Sequence, residues 1–571
     1  MSRPTAPQHI SDGSLAPSIS ATLADQVDPE FPLSHNEENP DLSFPFSTID
    51  VERAGITDEY REVNKAGTVP LSKELSRARS RIASPRPVPK LLSDPEKASN
   101  LKDVQLVVWK PDDPEDPRNW SNLYRWYLTF VATWAVISVA FGSAILTGDF
   151  QDIEKQFHIG DTVAALTVSI MVVGFGLGPL AWAPLSEIYG RRPLYIIPFS
   201  LYVIFNIPCA LAPNIGALLV CRFLCGIFAS SPLTLAGGTI SDIWDNNDRG
   251  LAIAFFAAAP YGGPVLAPIV GGFVGETVGW RWMLWVNMIF AGVVLMFIAA
   301  MPETYAPVLL KRRAQKMRKE QQTDKIVTEQ ELFPRPFSEL LVETLVRPFQ
   351  MLLTEPALLL MSLYISMIYG LLYGFFFSFP IIFGEGYHMN NGKVGLTFIS
   401  VLIGVAFALL ITPRLEAFYH KRTAARGGKG EPEDRLLGMM VGAPWVPISL
   451  FIFGWTSPPT VMPHGGSWVG PCISGIPFGF GMVVIYFSAN AYIIETFSAY
   501  VASALAAKTV VRSGMGAAIP LFIVPMYHNL GNAWAASLLA FLSIAIFPIP
   551  YLFYFYGKGI RARSKRAAVS A

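Results

Sequence analysis

The residues of this chain able to do chemistry are charges set in apolar surroundings. Glu187, Gly190, Arg191 and Arg192 end the run Gly174-Phe-Gly-Leu-Gly-Pro-Leu-Ala-Trp-Ala-Pro-Leu-Ser-Glu187-Ile-Tyr-Gly190-Arg191-Arg192-Pro193, and Asp242 follows a second apolar stretch. An acid and two arginines around a glycine turn suit ion pairs with a neighbouring acid such as Asp242, or an anchor for the loop at the headgroups, rather than a covalent step. Arg222 stands alone inside an apolar run, and Lys508 and Arg512, four apart, share one helical face. Such a cation in hydrocarbon costs about 2.5–3.5 kcal/mol unless it faces water or a partner, so it marks a path for charged solutes. No histidine lies within an apolar run, and Cys209, Cys221, Cys225 and Cys472 are scattered through such runs as small packing residues. Neither a metal site, a disulfide frame nor a catalytic set is implied, and the chain does not read as an enzyme.

The elements that must position these charges are membrane helices. Apolar residues make up 52% of 571 and charged residues 15%, a balance foreign to soluble proteins of this size. Stretches long enough to cross roughly 30 Å of hydrocarbon lie at 127–147, 163–183, 194–212, 216–240, 251–274 and 282–301, then at 357–383, 393–412, 436–455, 468–492, 503–526 and 534–556. The basic residues gather in the loop 302–356, in the loop 413–435 and after 557, whereas the opposite loops offer only Lys155, Arg281 and Lys393. The positive-inside rule therefore predicts a multi-pass protein with both termini cytoplasmic. Residues 1–124, rich in Ser, Pro, Asp and Glu and without a signal-peptide pattern, are expected to be a disordered cytoplasmic tail. The expected divisions after it are a six-helix bundle at 125–301, a linker at 302–356, a second bundle at 357–557 and a short tail at 558–571. A net charge of +1 gives no reason to expect nucleic acid as a partner.

The second half echoes the first. Leu185-Ser-Glu-Ile-Tyr189-Gly-Arg191-Arg192 returns as Leu415-Glu-Ala-Phe-Tyr419-His-Lys421-Arg422, Gly279-Trp-Arg-Trp282 as Gly531-Asn-Ala-Trp534, and Asp242 as Glu495. The loop after the second span resembles that of the major facilitator superfamily, Gly-x-Leu-Ala-Asp-Arg-x-Gly-Arg-Arg, with Ala183, Glu187 and Ile188 as departures. Leu218-x-x-x-Arg222-x-x-Cys225-Gly226 is similar to the fourth-span pattern of that family, with Cys225 for Gln. Gly263-Pro264-Val-Leu-Ala267-Pro268-Ile-Val-Gly271-Gly272 resembles the fifth-span motif of its antiporters. The stretches Asp113–Ser121, Pro302–Pro307, Arg435-Leu436, Tyr492–Glu495 and Ser503–Arg512 resemble the fungal twelve-span drug:proton antiporters, so that the resemblance runs from 113 to 560.

This resemblance implies an all-α membrane protein with twelve transmembrane helices in two six-helix pseudo-repeats and a substrate site between them near the midplane. It implies that Glu187, at the positive end of span 11, and Arg191 and Arg192, paired with Asp242, latch a cytoplasmic gate. It also implies that Arg222 serves proton transfer, the alternative being that it snorkels to the outer interface. Lys508 and Arg512 either face an aqueous cavity or, if span 11 starts later, lie in the loop; facing the cavity, they disfavour a strongly cationic cargo. Tyr369 and Tyr373, with Tyr486 and Asn490, are the candidates for substrate contact beside Arg512, while most aromatics of span 7 are expected to pack. No carboxylate falls at the centre of a span; Asp149 and Glu385, at the outer ends of spans 1 and 7, come nearest to a proton carrier. The expected function is proton-coupled, alternating-access export of amphipathic drugs, toxins or secondary metabolites by a monomer in the plasma or vacuolar membrane. Its partners are a small-molecule substrate, protons and the lipid bilayer, and it uses no cofactor beyond the proton gradient. The alternative is a facilitator, importer or exporter of an organic acid, polyamine or other small metabolite.

Overall fold

The computed structural model describes residues 68–70, 105–110, 112–245, 249–332, 337–426, 430–459, 467–564 and 566–567. Twelve of its helices are long and apolar enough to cross a membrane. Spans 1 to 6 are Asn122–Gly148, Asp161–Tyr189, Arg191–Ala210, Ile215–Ile243, Gly250–Val278 and Trp280–Ala299. Spans 7 to 12 are Pro356–Gly386, Asn391–Ala425, Pro432–Trp455, Val469–Thr496, Val501–Leu530 and Asn532–Arg563. Helix is the outcome because a backbone in hydrocarbon must satisfy its own hydrogen bonds. Polar side chains start several spans: Ser121 accepts from the N–H of Tyr124, Asn214 from Ala217 and Asn390 from Lys393. The side on which span 1 begins is called the tail side, and the opposite one the far side.

Three span-to-span turns have one build. Gly190, Gly279 and Gly531 sit at φ +94°, +88° and +76°, in a region of backbone space open essentially to glycine alone. Gly279 and Gly531 join spans 5–6 and 11–12, as the sequence echo predicts. Close helix contacts repeat as well. A Cβ on Gly226 would stand 2.2 Å from the carbonyl oxygen of Met171, and one on Gly479 would stand 2.2 Å from that of Val401. Spans 2 and 4, and spans 8 and 10, thus touch backbone to backbone through small residues. The halves meet mainly along span 2 with span 11 and span 5 with span 8. Most of span 7's phenylalanines are core: Phe375 packs 4.3 Å from Phe478 and 5.1 Å from Phe453, and Phe379 4.3 Å from Phe398, between ring centres.

Two boundaries differ from the sequence expectation. Most of the segment expected to be a disordered tail lies outside the described residues, but 105–110 and 112–124 are built into the fold. Strand β2 (Gln105–Val107) pairs antiparallel with β1 (Thr68–Pro70) and parallel with β3 (Ile326–Val327) of the linker. Val107 and Ile326 share an apolar cluster with Ala314 and Met317 of the linker helix Ala306–Gln321. Asp113 is bound by Arg313 at 2.5 Å. Burial pushes the Asp113 carboxyl up, but the guanidinium and the N–H groups of Glu115 and Lys110 outweigh it and hold it below its usual range. At the other end span 12 continues to Arg563 because Arg561, 3% exposed, is clamped by Glu433 at 2.7 and 2.9 Å.

Candidate functional site

The charge cluster at the tail side of spans 2–4 forms, with different pairings from those expected. Arg191 Nε meets Asp242 Oδ2 at 3.2 Å, its Nη1 donates to Ser186 Oγ at 2.6 Å, and its guanidinium lies 4.8 Å from the centre of the Tyr305 ring. Arg192 does not reach Asp242; its Nη2 donates to the carbonyl of Ala299 at 3.3 Å, at the surface. Adjacent helical residues point roughly 100° apart, so one carboxylate takes one of them. Glu187 is half-buried and acts electrostatically on Arg191, and the helix turn bearing it packs on span 11. The organising acid is one that the charge pattern did not reveal. Glu303, 4% exposed, accepts the backbone N–H groups of Arg191 (2.8 Å), Arg192 (3.2 Å), Thr304 and Tyr305 (3.0 Å each). It caps the first turn of span 3, where the helix dipole favours an anion. A Cβ on Gly190 would lie 2.3 Å from Glu303 Oε2, which is a second reason for glycine there.

The span 5 motif closes two interfaces. Pro264 and Pro268 lie inside the helix, which runs without a break in its residue range. Cβ atoms on Gly263 and Gly271 would lie 2.8 and 2.6 Å from carbonyl oxygens of Ile137 and Ile145 in span 1, and one on Gly272 would lie 2.3 Å from that of Asn391 at the start of span 8. At this far mouth Glu276 accepts from Asn390 Nδ2 at 2.7 Å and from the N–H of Gly392 at 3.0 Å, and Phe150 stacks on Phe377 at 4.9 Å. A hollow of about 70 Å³ lies between Asp149, Phe150 and Pro268 on one half and Asn391 and Phe398 on the other.

The two carboxylates considered as proton carriers part company here. Asp149 is 6% exposed, hydrogen-bonded to Asn391 across the interface, and pushed up to about 6 by burial and by the neighbouring charge of Asp152. Glu385 is exposed and faces His528 Nε2 at 3.1 Å.

Arg222 points inward and is fully buried. Its Nη1, Nη2 and Nε donate to the carbonyls of Gly142 (2.8 Å), Ser143 (3.0 Å) and Thr167 (3.0 Å). The α-helical part of span 1 ends at Ala144 and continues as a 3-10 turn over Ile145–Gly148, which leaves carbonyls without helical partners. Arg222 therefore neither snorkels nor pairs with an acid; it fastens the break in span 1. From Ser143 a polar path crosses between the halves. Ser143 Oγ lies 2.7 Å from Tyr373 OH, and Tyr369 OH donates to Tyr373 OH at 3.3 Å. Beyond them Arg512 lies over the Tyr369 ring at 4.6 Å and donates to Tyr486 OH at 3.2 Å, while Lys508 Nζ donates to Asn490 Oδ1 at 2.5 Å.

Span 11 begins at Val501, so Lys508 and Arg512 are inside it, and both are buried. All of Tyr369, Tyr373, Tyr486, Asn490 and Arg512 thus come together. Tyr261 joins them, its ring 4.7 Å from Tyr486 and 5.8 Å from Tyr369. Its signal in the sequence was a hydroxyl-bearing aromatic two residues before the span 5 motif.

Residues 132–520 match the family model described as Major Facilitator Superfamily. Polyamine transporter 3 of Saccharomyces cerevisiae is 47% identical over 80% of this chain and 73% of its own length. Multidrug transporter TPO3 of Candida glabrata is 44% identical over 95% and 87%. The proton:xylose symporter XylE, bound to 6-bromo-6-deoxy-D-glucose, shares the fold at TM-score 0.55, with 16% identity over 76% of this chain and 96% of that one. With two six-helix halves, a charge cluster after span 2 and a polar centre between the halves, the chain belongs to the Major Facilitator Superfamily of membrane transporters.

Proposed function

We propose that this transporter exports amphipathic organic molecules, such as drugs, toxins or secondary metabolites, in exchange for protons, by alternating access from a plasma membrane in which both termini are cytoplasmic. The observation that carries this reading is the pairing of two separable closures around one polar centre. A small-residue seam of span 5 against span 8 shuts the far mouth, and on the tail side the halves meet where the turn bearing Glu187 packs on span 11, next to ion pairs that fasten each half's own helix ends. Breaking one while the other holds is what alternating access requires. The span 5 motif supports export over uptake by its resemblance to that of antiporters, and the multidrug name of a 44% identical relative points the same way. For the proton, Asp149 is the carboxylate best supported, because it lies buried in the seam that must open. The protein needs no cofactor beyond the proton gradient and acts as a monomer.

Efflux from cells expressing the protein, measured for acidic, neutral and basic compounds with and without a protonophore, tests the reading. Outward flux that collapses with the gradient is expected. Flux indifferent to the protonophore, or directed inward only, would replace this reading by a facilitator or an importer.

A further inference from the structure

The centre of the molecule holds two buried cations and, among the described residues, no counter-charge. Lys508 and Arg512 are 4% and 3% exposed. Lys508 has the Asn490 oxygen and, at 5.0 Å, the Tyr486 ring; Arg512 has the Tyr486 hydroxyl and the Tyr369 ring. The Nε of Arg512 and the fully buried hydroxyl of Tyr261 make no hydrogen bond of good geometry among the described residues; the two side chains interact with each other. The elements packed around them bring Tyr261 from span 5, Tyr369 and Tyr373 from span 7, Tyr486 and Asn490 from span 10, Ser143 from span 1 and Arg222 from span 4. Every one of these is neutral or positive. Ring faces and neutral oxygens hold a desolvated cation far less firmly than a carboxylate does.

We propose that the missing counter-charge is the cargo: the central site takes an amphipathic organic anion bearing a single carboxylate or an equally acidic oxygen. This deepens the reading of the polar centre as the place where cargo binds. Arg512 offers Nε and an Nη as a planar fork to the acid group, Lys508 adds a point charge one helical turn away, and Tyr261 turns its hydroxyl from Arg512 to donate to the same acid. The rings of Tyr261, Tyr369 and Tyr486 flank the apolar body. A polyamine, the cargo in the name of one relative, would meet the like charges of Lys508 and Arg512.

Equilibrium binding to the purified full-length protein in detergent tests this without a gradient or a direction of transport. The probes are benzoate, 2-naphthoate and decanoate, each with its methyl ester, and spermidine. At least one acid is expected to bind at least about tenfold more tightly than its ester, with no binding of spermidine. Arg512→Gln is expected to weaken the acid by about 10–100-fold, the factor carried by a charge-assisted hydrogen bond, and to leave the ester unchanged. Arg512→Lys should restore part of the loss. Esters that bind as well as their acids, spermidine binding, no binding by any acid, or a monodisperse Arg512→Gln protein with unaltered acid affinity would each overturn the proposal. Loss of proton-driven efflux with acid binding intact would instead strike only the reading of export and coupling.

Discussion

The two halves carry the same helical frame and fasten their tail-side ends with different charge arrangements. In the first half Arg191, from the loop after span 2, takes Asp242, and the loop itself is closed by Glu303. In the second half the repeat-related Lys421 and Arg422 do not hold Glu495. Arg435, from the start of span 9, does so at 2.7 Å, binds Glu416 at 2.6 and 2.7 Å as well, and lies 3.5 Å from the centre of the Tyr419 ring. The Tyr419 hydroxyl donates to both oxygens of Glu495 at 3.1 Å. The difference follows from one residue. Gly190 breaks the helix at φ +94°, whereas at the matching position His420 leaves span 8 helical to Ala425. The continuing helix carries Arg422 and Arg426 onto Asp434, and a different arginine is left to serve Glu495. A conserved frame of helices does not dictate which cation meets which acid; the breaks between helices do.

The comparison is broken most severely at Arg435. Arg435→Ala leaves two mostly buried carboxylates side by side, a loss of about 3 kcal/mol by analogy with other broken buried pairs. Arg191→Ala strands one acid and should cost about half of that. Melting of the two purified variants in detergent decides: equal losses would mean that the second acid is indifferent. Gly190→Ala comes next, at about 2 kcal/mol, from a backbone region closed to side chains and a clash with Glu303. His420→Gly should cost no more than about 1 kcal/mol, the helix propensity of an exposed site; abundance in the membrane and melting temperature report both, and a harmless Gly190→Ala would sink the account of the break.

The far end of span 1 extends the contrast to pH. Asp149 is lifted from 3.8 to about 6 mainly by burial. A closed mouth that holds the proton more firmly than an open one is fully stable below about pH 4, loses stability as the pH rises to about 6, and changes no further above that. Asp149→Asn should flatten the slope of melting temperature against pH in that window. A slope unaltered by Asp149→Asn would remove Asp149 from the closure. The smallest effect is expected of Arg192→Ala, within about 0.5 kcal/mol, as for a surface substitution; a loss matching that of Arg191→Ala would restore the two-arginine latch.

Much of this was readable from the chain alone. Apolar length placed the spans, because hydrocarbon admits few alternatives, and a glycine with Trp three residues on marked equivalent turns before spans 6 and 12. Four-residue spacing put Lys508 and Arg512 on one face. Partners were harder to read, since they depend on which helix ends come together. Arg191 and Arg192 are identical in type and differ only in direction, Glu303 looked like part of a linker motif, and Arg435 like a loop charge. Asp149 and Glu385 are similar acids at similar span ends; one is buried because Gly275 and Asn391 close over it, and nothing in its own neighbourhood of sequence says so.

The uncompensated cations of the centre also bear on electricity. A charge moved across the whole membrane potential gains or loses about 2.3 kcal/mol per 100 mV, and under the alternating access proposed above Lys508 and Arg512 would sit where access switches from one side to the other. An empty carrier with two such charges is drawn toward the negative face, and one bound anion halves the pull. In an inside-negative cell the unloaded protein would therefore rest open to the cytoplasm, and its reorientation would register as a transient current that Arg512→Gln diminishes; a current of the same size in that variant would show that the site does not sense the field.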